Sequence, residues 1–223
     1  MPDFDAAGFA VIPAVISQQI CGELADKASL ALHAGGSRGL LDEPWCASVA
    51  TQIRRHAMLS ALIPDDHVAV QCTYFEKSVD RNWLVPVHQD LSIPVAERIS
   101  ETSLRGWSEK EGALFVQAPP QVLKQIVAVR LHLDDCLLAD GPLRVVPGSH
   151  SMGVLSADAA IAMRDAYAEV CCEVEQGGVL VMRPLLLHAS SKSSGSSRRR
   201  VLHFVFGPPE LPLGLRWRTA VVA

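Results

Sequence analysis

From His67 onward the chain breaks into short β-branched and apolar runs separated by turn residues, and this texture limits its fold more than any other feature. Val68 to Phe75 reads as a strand, Leu84 to Asp90 as another, and Gln125 to Leu133 as a third with strong period-two alternation. Gly141 to Val146, Val179 to Met182, Leu185 to His188 and Arg199 to Phe206 follow, and the tail leaves room for one more. No helices intervene in the manner of βαβ units. The pattern therefore predicts a β-sandwich or jelly roll.

The first third of the chain has a different period. Residues 4–16 suffice for a strand and a turn. Ser17 is placed to cap a helix whose Ile20, Leu24, Ala28 and Ala31 recur at helical spacing to about Leu32, where Gly35-Gly36 ends it. A second helix is predicted over about 44–62, with Pro44 in its first turn and Pro64 beyond its end. Both read as a buttress against a sheet. Residues 91–120 form a long polar stretch with Trp107 in its middle, and that length without regular pattern predicts a lid. Ser156 starts a helix that gives way to a loop before Cys171, and the serine-rich loop Ser190 to Ser197 is expected to be mobile. These readings give one domain over residues 1–223: a helical buttress over 1–66 and a jelly-roll core over 67–207. The fold class is mainly β with flanking helices (α+β), a double-stranded β-helix with N-terminal helices packed on one side.

A 49% hydrophobic content is enough for one substantial core. The formal net charge of −4, with Arg198-Arg199-Arg200 as the one basic cluster, gives no nucleic-acid surface. The six cysteines show no CxxC pair and no zinc spacing, which suits reduced thiols. No signal-peptide pattern or membrane-length apolar run is visible, so the expected location is cytoplasmic.

Within this framework His88-Gln89-Asp90 stands out. Residues i and i+2 of a strand share a face, so an imidazole and a carboxylate can aim at one point. A second histidine would complete a 2-His-1-carboxylate facial triad of the kind that holds non-haem Fe(II). His188 supplies one at the end of an apolar run, and eleven residues later Arg199 opens the last long strand. An arginine there suits a dicarboxylate, which its planar fork binds bidentately. Arg199 and Arg200 point to opposite faces, so only one of them can look inward. Other polar residues have simpler readings. His150 suits a structural hydrogen bond, His132 and His203 ordinary strand positions, and Asp134-Asp135 turn solvation. Arg144 and Arg183 suit rim ion pairs, and Trp83 suits the core.

The sequence resembles the phytanoyl-CoA dioxygenase-like family of Fe(II)/2-oxoglutarate oxygenases. The matching stretches are His88-Gln89-Asp90, the block from Asp140-Gly141-Pro142 through Pro147-Gly148-Ser149-His150, Met182 to Ser190, and Arg199 to Phe204. The resemblance covers roughly residues 67–207. The resemblance implies that His88, Asp90 and His188 are catalytic iron ligands and that Arg199 holds the C5 carboxylate of 2-oxoglutarate. Ser190 corresponds to a co-substrate hydroxyl, Gln71 to a position contacting 2-oxoglutarate, and Trp107 to an aromatic beside it. It further implies consumption of O2, release of succinate and CO2, and hydroxylation of a small-molecule substrate with no membrane partner. Halogenating relatives lack the carboxylate, and Asp90 is present. A Pro-Asn turn common after the distal histidine is replaced here by Lys192-Ser193-Ser194. Two rival readings are a catalytically silent jelly-roll binding module and a cupin-type metalloenzyme that does not use 2-oxoglutarate.

Overall fold

The computed structural model describes residues 3–35 and 38–222. Its strands in chain order are β1 (Phe9–Ile12), β2 (Val68–Lys77), β3 (Val85–His88), β4 (Ser92–Val95), β5 (Ser108–Lys110), β6 (Ala113–Gln117), β7 (Val127–His132), β8 (Leu143–Val145), β9 (Val170–Cys172), β10 (Val179–Met182), β11 (His188–Ser190) and β12 (Arg199–Gly207). They form a five-stranded sheet in the order β1-β10-β7-β12-β2, a four-stranded sheet β3-β11-β8-β9 and a three-stranded sheet β4-β6-β5. The first two enclose a cavity as the layers of a jelly roll, and the third closes one side of it.

Period two sorts the large sheet into two faces. Val127, Val129 and Leu131 of β7 and Leu202, Phe204 and Phe206 of β12 point away from the cavity. There they meet Leu24 and Ala28 of helix α2 after the one-turn α1 (α1, Phe4–Ala7; α2, Gln18–Gly35) and Val49 and Ile53 of α3 (Pro44–Arg55). Each large apolar side chain buried in this layer contributes about 1.5–3 kcal/mol, which holds the helices to the sheet. The alternate residues, Ala128 and Arg130 on β7 and Arg199, His203 and Val205 on β12, face the cavity. On β2 the register shifts where Val205 lies opposite Gln71 and Phe206 opposite Ala69. Val70 is thus an extra residue, a bulge that turns Gln71, Thr73 and Phe75 inward.

Several expectations change. The predicted second helix is broken at His56, whose φ of −66° and ψ of 126° are extended, so α3 is followed by a separate turn α4 (Ala57–Ser60). The break lets Ile53 and Leu59 both reach the core. Helix α2 continues beyond Leu32 to Gly35; Gly36 lies outside the described residues. The segment 1–66 is more than a buttress, because β1 pairs with β10 as an edge strand of the large sheet. After the short α5 (Pro120–Leu123), helix α6 (Ala157–Ala166) starts at Ser156, whose side chain accepts from the Ala159 N–H, but strand β9 follows where a loop was expected.

The largest change concerns 91–120. This stretch is no irregular lid: it is the sheet of β4, β5 and β6, with Ile93, Val95 and Val116 packed on Val68, Val70 and Trp217. The serine loop is also tied down. Asn82 Nδ2–H donates to the Ser193 carbonyl (2.7 Å) and its Oδ1 accepts from the Ser193 N–H (2.8 Å). Among the described residues the tail adds no full strand but two isolated bridges, Val95 to Trp217 and Ala69 to Val221. Among the described residues no helix is long and apolar enough to cross a membrane.

Candidate active site

Strands β3 and β11 pair so that His88 lies directly opposite His188, and the two rings sit 4.2 Å apart. Asp90 is not on the strand. It lies in the connector after β3, with His88 Nε2 3.7 Å from one carboxylate oxygen and His188 Nε2 3.7 Å from the other. One donor atom from each of the three lies within 4.8 Å of the others. Ligands about 2.0–2.2 Å from one ion are at most about 4.4 Å apart, so small side-chain shifts bring all three onto a cation.

The tautomers suit a metal. His88 Nδ1 is 2.9 Å from the Pro86 carbonyl and His188 Nδ1 is 2.9 Å from the Leu186 carbonyl. A carbonyl only accepts, so Nδ1 carries the proton in both rings and the Nε2 lone pairs point at Asp90. Burial lowers His188 to about 4, which keeps it neutral and able to ligate. Burial alone would raise Asp90, but His188, His203 and His88 outweigh it and hold the carboxyl below its usual value. Two imidazoles with Nδ1 turned to carbonyls and one carboxylate, with no fourth His, Cys, Asp or Glu in the described cluster, match a facial triad with open positions.

Specific bonds position these ligands. Gln89, between His88 and Asp90, points the other way: its Nε2 donates to the Gly153 and Leu185 carbonyls, and its Oε1 accepts from the Leu155 N–H. The Asp90 N–H donates to the Pro184 carbonyl at 2.9 Å. His188 was expected to end a strand but begins one. Leu185 to Leu187 form a buried turn whose Leu187 N–H donates to Ser149 Oγ (2.8 Å), within the Pro-Gly-Ser-His block. Pro86, which has no N–H for a ladder, is tolerated because β3 is an edge strand.

Beside the metal ligands stands a wall of cations. Arg199 faces inward and is buried, with Nη1 donating to the Gly141 carbonyl and Nε unpartnered among the described residues. Gly141 needs to be glycine, since its φ is +65° and a Cβ would come within 2.6 Å of the Ser191 oxygen. Arg200 turns outward and grips Asp134 through Nε (2.8 Å) and Nη2 (2.7 Å). Opposite Arg199 on β2 is Lys77, fully buried, whose Nζ donates to Ser190 Oγ at 2.9 Å and to the Ser191 carbonyl. Burial, then Arg199, lowers Lys77 to about 8. Arg130 on β7 completes the wall. Lys77 and Arg130 were missed in the sequence; in Arg130 the signal was a charged residue at the inward parity of a mainly apolar strand.

The cavity measures about 430 Å³ and is lined by His88, Asp90, His188, Arg199, Ser190 and Gln71 among others. Trp107 is not among its lining residues: it packs on the apolar cluster of the three-stranded sheet, with Arg98 5.3 Å from its ring. Trp83, expected in the core, is 38% exposed and lines the cavity. His203 lines it too; burial, then Arg130, lowers its pKa to about 3. His132 is buried with neither nitrogen partnered among the described residues. His150 Nε2–H donates to the Asp5 carbonyl (3.1 Å), Arg183 pairs with Asp5 and Arg144 with Glu169. Asp134 is an ion-pair partner and not merely a solvated turn residue.

A family model described as Phytanoyl-CoA dioxygenase (PhyH) matches residues 4–201. Among solved structures, the non-heme alpha ketoglutarate dependent carbocyclase SnoK from nogalamycin biosynthesis is similar at 16% identity and a TM-score of 0.70, over 93% of this chain and 82% of that one. HygX from Streptomyces hygroscopicus with iron bound is similar at 18% identity and a TM-score of 0.64, over 92% and 84%. EctD from S. alaskensis is similar at 18% identity and a TM-score of 0.67, over 98% and 83%. At these identities the likeness is one of fold. A comparison with curated protein sequences found no match.

Proposed function

The chain belongs to the phytanoyl-CoA dioxygenase family, and on that premise we propose that it is an Fe(II)- and 2-oxoglutarate-dependent oxygenase that hydroxylates a small organic substrate. The observation that carries this reading is the conjunction of two imidazoles and a carboxylate with buried Arg199 in one cavity. Solved forms of HygX hold iron and, separately, nickel with 2-oxoglutarate, which supports the same pair of groups here.

In this reading His88, Asp90 and His188 hold the metal, and Gln89 keeps the first two at the right spacing. Arg199 takes the far carboxylate of 2-oxoglutarate. Ser190 and Lys77 act beside it: the ammonium donates to Ser190 Oγ, which leaves the hydroxyl hydrogen free for the anion. Gln71, on the same inward face as Thr73, is a further candidate contact. With iron and 2-oxoglutarate bound, the site would oxidise a substrate C–H bond while O2 is consumed and succinate and CO2 are released. The residues of this chain orient the reactants and exclude water: Ile93, Phe115 and Trp83 wall the cavity with apolar surface.

SnoK is described as a carbocyclase, so ring closure is the second reading. A hydroxylated product gains one oxygen atom and a ring-closed product gains none, so mass spectrometry separates them. Aerobic incubation with Fe(II) and 2-oxoglutarate is expected to release succinate. His88→Ala, Asp90→Ala and His188→Ala are each expected to stop it; undiminished release in any one removes that residue from the ligand set. No release by wild type with any substrate would favour a silent binding module.

A further inference from the structure

Arg130 belongs to neither the metal site nor the Arg199 site. It is 7% exposed, lines the cavity, and has no carboxylate within ion-pair distance among the described residues. Its Nη1 donates to His203 Nδ1 at 3.1 Å, its guanidinium carbon lies 5.3 Å from the Phe75 ring centre, and its Nε has no partner among the described residues. His203, kept neutral, accepts this bond without adding a charge. Phe75 meets His203 edge-on with rings 5.9 Å apart, so both neighbours hold the guanidinium in place. Burying such a cation without a counter-charge is costly, by several kcal/mol per ion.

The loaded site does not supply that counter-charge. On the reading proposed above, the metal's two charges meet Asp90 and the two carboxylates of 2-oxoglutarate, leaving one negative charge. Arg199 offsets it. Arg130 remains, whether or not Lys77 is protonated. Asp90 is the one carboxylate lining the cavity among the described residues, against Arg38, Lys110, Arg130 and Arg199. Arg38 is answered by Glu111, 3.8 Å away, whereas Arg130 feels Asp90 only from beyond ion-pair distance, and Asp90 is already committed to the metal on this reading. Arg130 and Arg199 share the cation wall, each close enough to repel the other, but they stand on different rows of it. On β12, Arg199 faces Lys77 of β2, while His203 faces Arg130 of β7. These rows are four residues apart, about 13 Å along the strand. Thr73, opposite His203, accepts from Gln71 Nε2 (2.7 Å) and so has its own O–H to donate.

We propose that Arg130, with Thr73 beside it, binds a carboxylate of the primary substrate, so that the enzyme acts on a small organic acid whose apolar body lies against Ile93 and Phe115. The proposal rests on the iron and 2-oxoglutarate reading for its charge count, and on the unpaired guanidinium for its place.

The test uses whole protein loaded anaerobically with Fe(II) and 2-oxoglutarate, the visible charge-transfer band reporting the loading. Calorimetric titration then compares straight-chain carboxylates from butanoate to octanoate, and 3-phenylpropionate, with their neutral primary amides. In wild type the best acid should bind about tenfold or more tightly than its amide, as a charge-assisted hydrogen bond predicts. Arg130→Gln should remove that preference while 2-oxoglutarate affinity stays within about threefold, a change too small for loss of a buried charge pair. Arg130→Lys should retain the preference in part, which a merely structural role would not require. Equal binding of acid and amide, or no binding of any acid, overturns the proposal. So does an Arg130→Gln protein that keeps the preference but loses 2-oxoglutarate affinity, since the guanidinium would then serve the co-substrate. Tighter binding of hexyl phosphate than of hexanoate overturns the carboxylate assignment. Absence of the band in wild type instead contradicts the co-substrate reading, and the acid–amide comparison on metal-free protein then decides the role of Arg130 alone. Should Arg130→Gln fail to fold, the wild-type comparison still decides.

Discussion

The metal ligands sit on a four-residue edge strand, a connector and the first residue of a three-residue strand, whereas the cations sit on three long neighbouring strands of the large sheet. Short strands have few ladder bonds to define a position. The metal side therefore uses dedicated bonds: three made by Gln89, one that Ser149 Oγ accepts from the turn before His188, and one from each imidazole to a carbonyl two residues back. The cation side needs fewer. β12 is paired along its length with β2 and along most of it with β7, so register alone brings Lys77 and Arg130 to the face that Arg199 occupies. Precision comes from side-chain pins in one region and from the ladder in the other.

The largest effect that would sharpen this contrast is on the cation side. Arg199→Ala should weaken 2-oxoglutarate binding by at least about 30-fold, because truncating one partner of a buried charge pair costs about 2–5 kcal/mol. Spectroscopic titration of the Fe(II) protein measures it, and an unchanged affinity would favour a cupin-type site that makes no use of 2-oxoglutarate. Next comes Gln89→Leu, which touches no reacting group. It should lower Fe(II) affinity about 10- to 100-fold, as loss of ligand-orienting bonds does. Competition with a chelator reads it, and wild-type affinity would mean the connector holds Asp90 without that pin.

A smaller effect is set by Lys77. A lysine is cationic below its pKa, and burial has brought this one to about 8. Its charge is largely present at pH 7 and falls about fivefold from pH 8 to 9, so 2-oxoglutarate affinity should decline over that range. In Lys77→Met the slope should disappear; a slope that persists assigns the titration elsewhere. The smallest effect is on the outer face of the same strand. Arg200→Ala removes the paired bonds to Asp134 and should cost about 1 kcal/mol, a fall of roughly 2–4 °C in Tm, with 2-oxoglutarate affinity unchanged. A binding defect equal to that of Arg199→Ala would erase the distinction between the two faces.

The two regions also differed in how far the sequence disclosed them. His88-Gln89-Asp90 is a local signature, and parity correctly set Arg199 and Arg200 on opposite faces. Lys77 and Arg130 are the lone lysine or arginine of their strands, and only pairing across β12 shows that they converge. The Leu185 to Leu187 run reads as a strand because apolar residues in a buried turn carry the same composition. The sheet within 91–120 was hidden for a related reason: β5 is Ser-Glu-Lys, without apolar content, and β4 finds its partner β6 about 20 residues later. Trp83 and Trp107 exchanged roles because composition does not say which side of a wall an aromatic faces.

Anaerobic titration of the Fe(II) protein with 2-oxoglutarate tests the central claim most directly. A visible charge-transfer band that saturates at one equivalent, and that is absent in Asp90→Ala, is the result predicted. Wild-type protein that binds Fe(II) but develops no band with excess 2-oxoglutarate would contradict it.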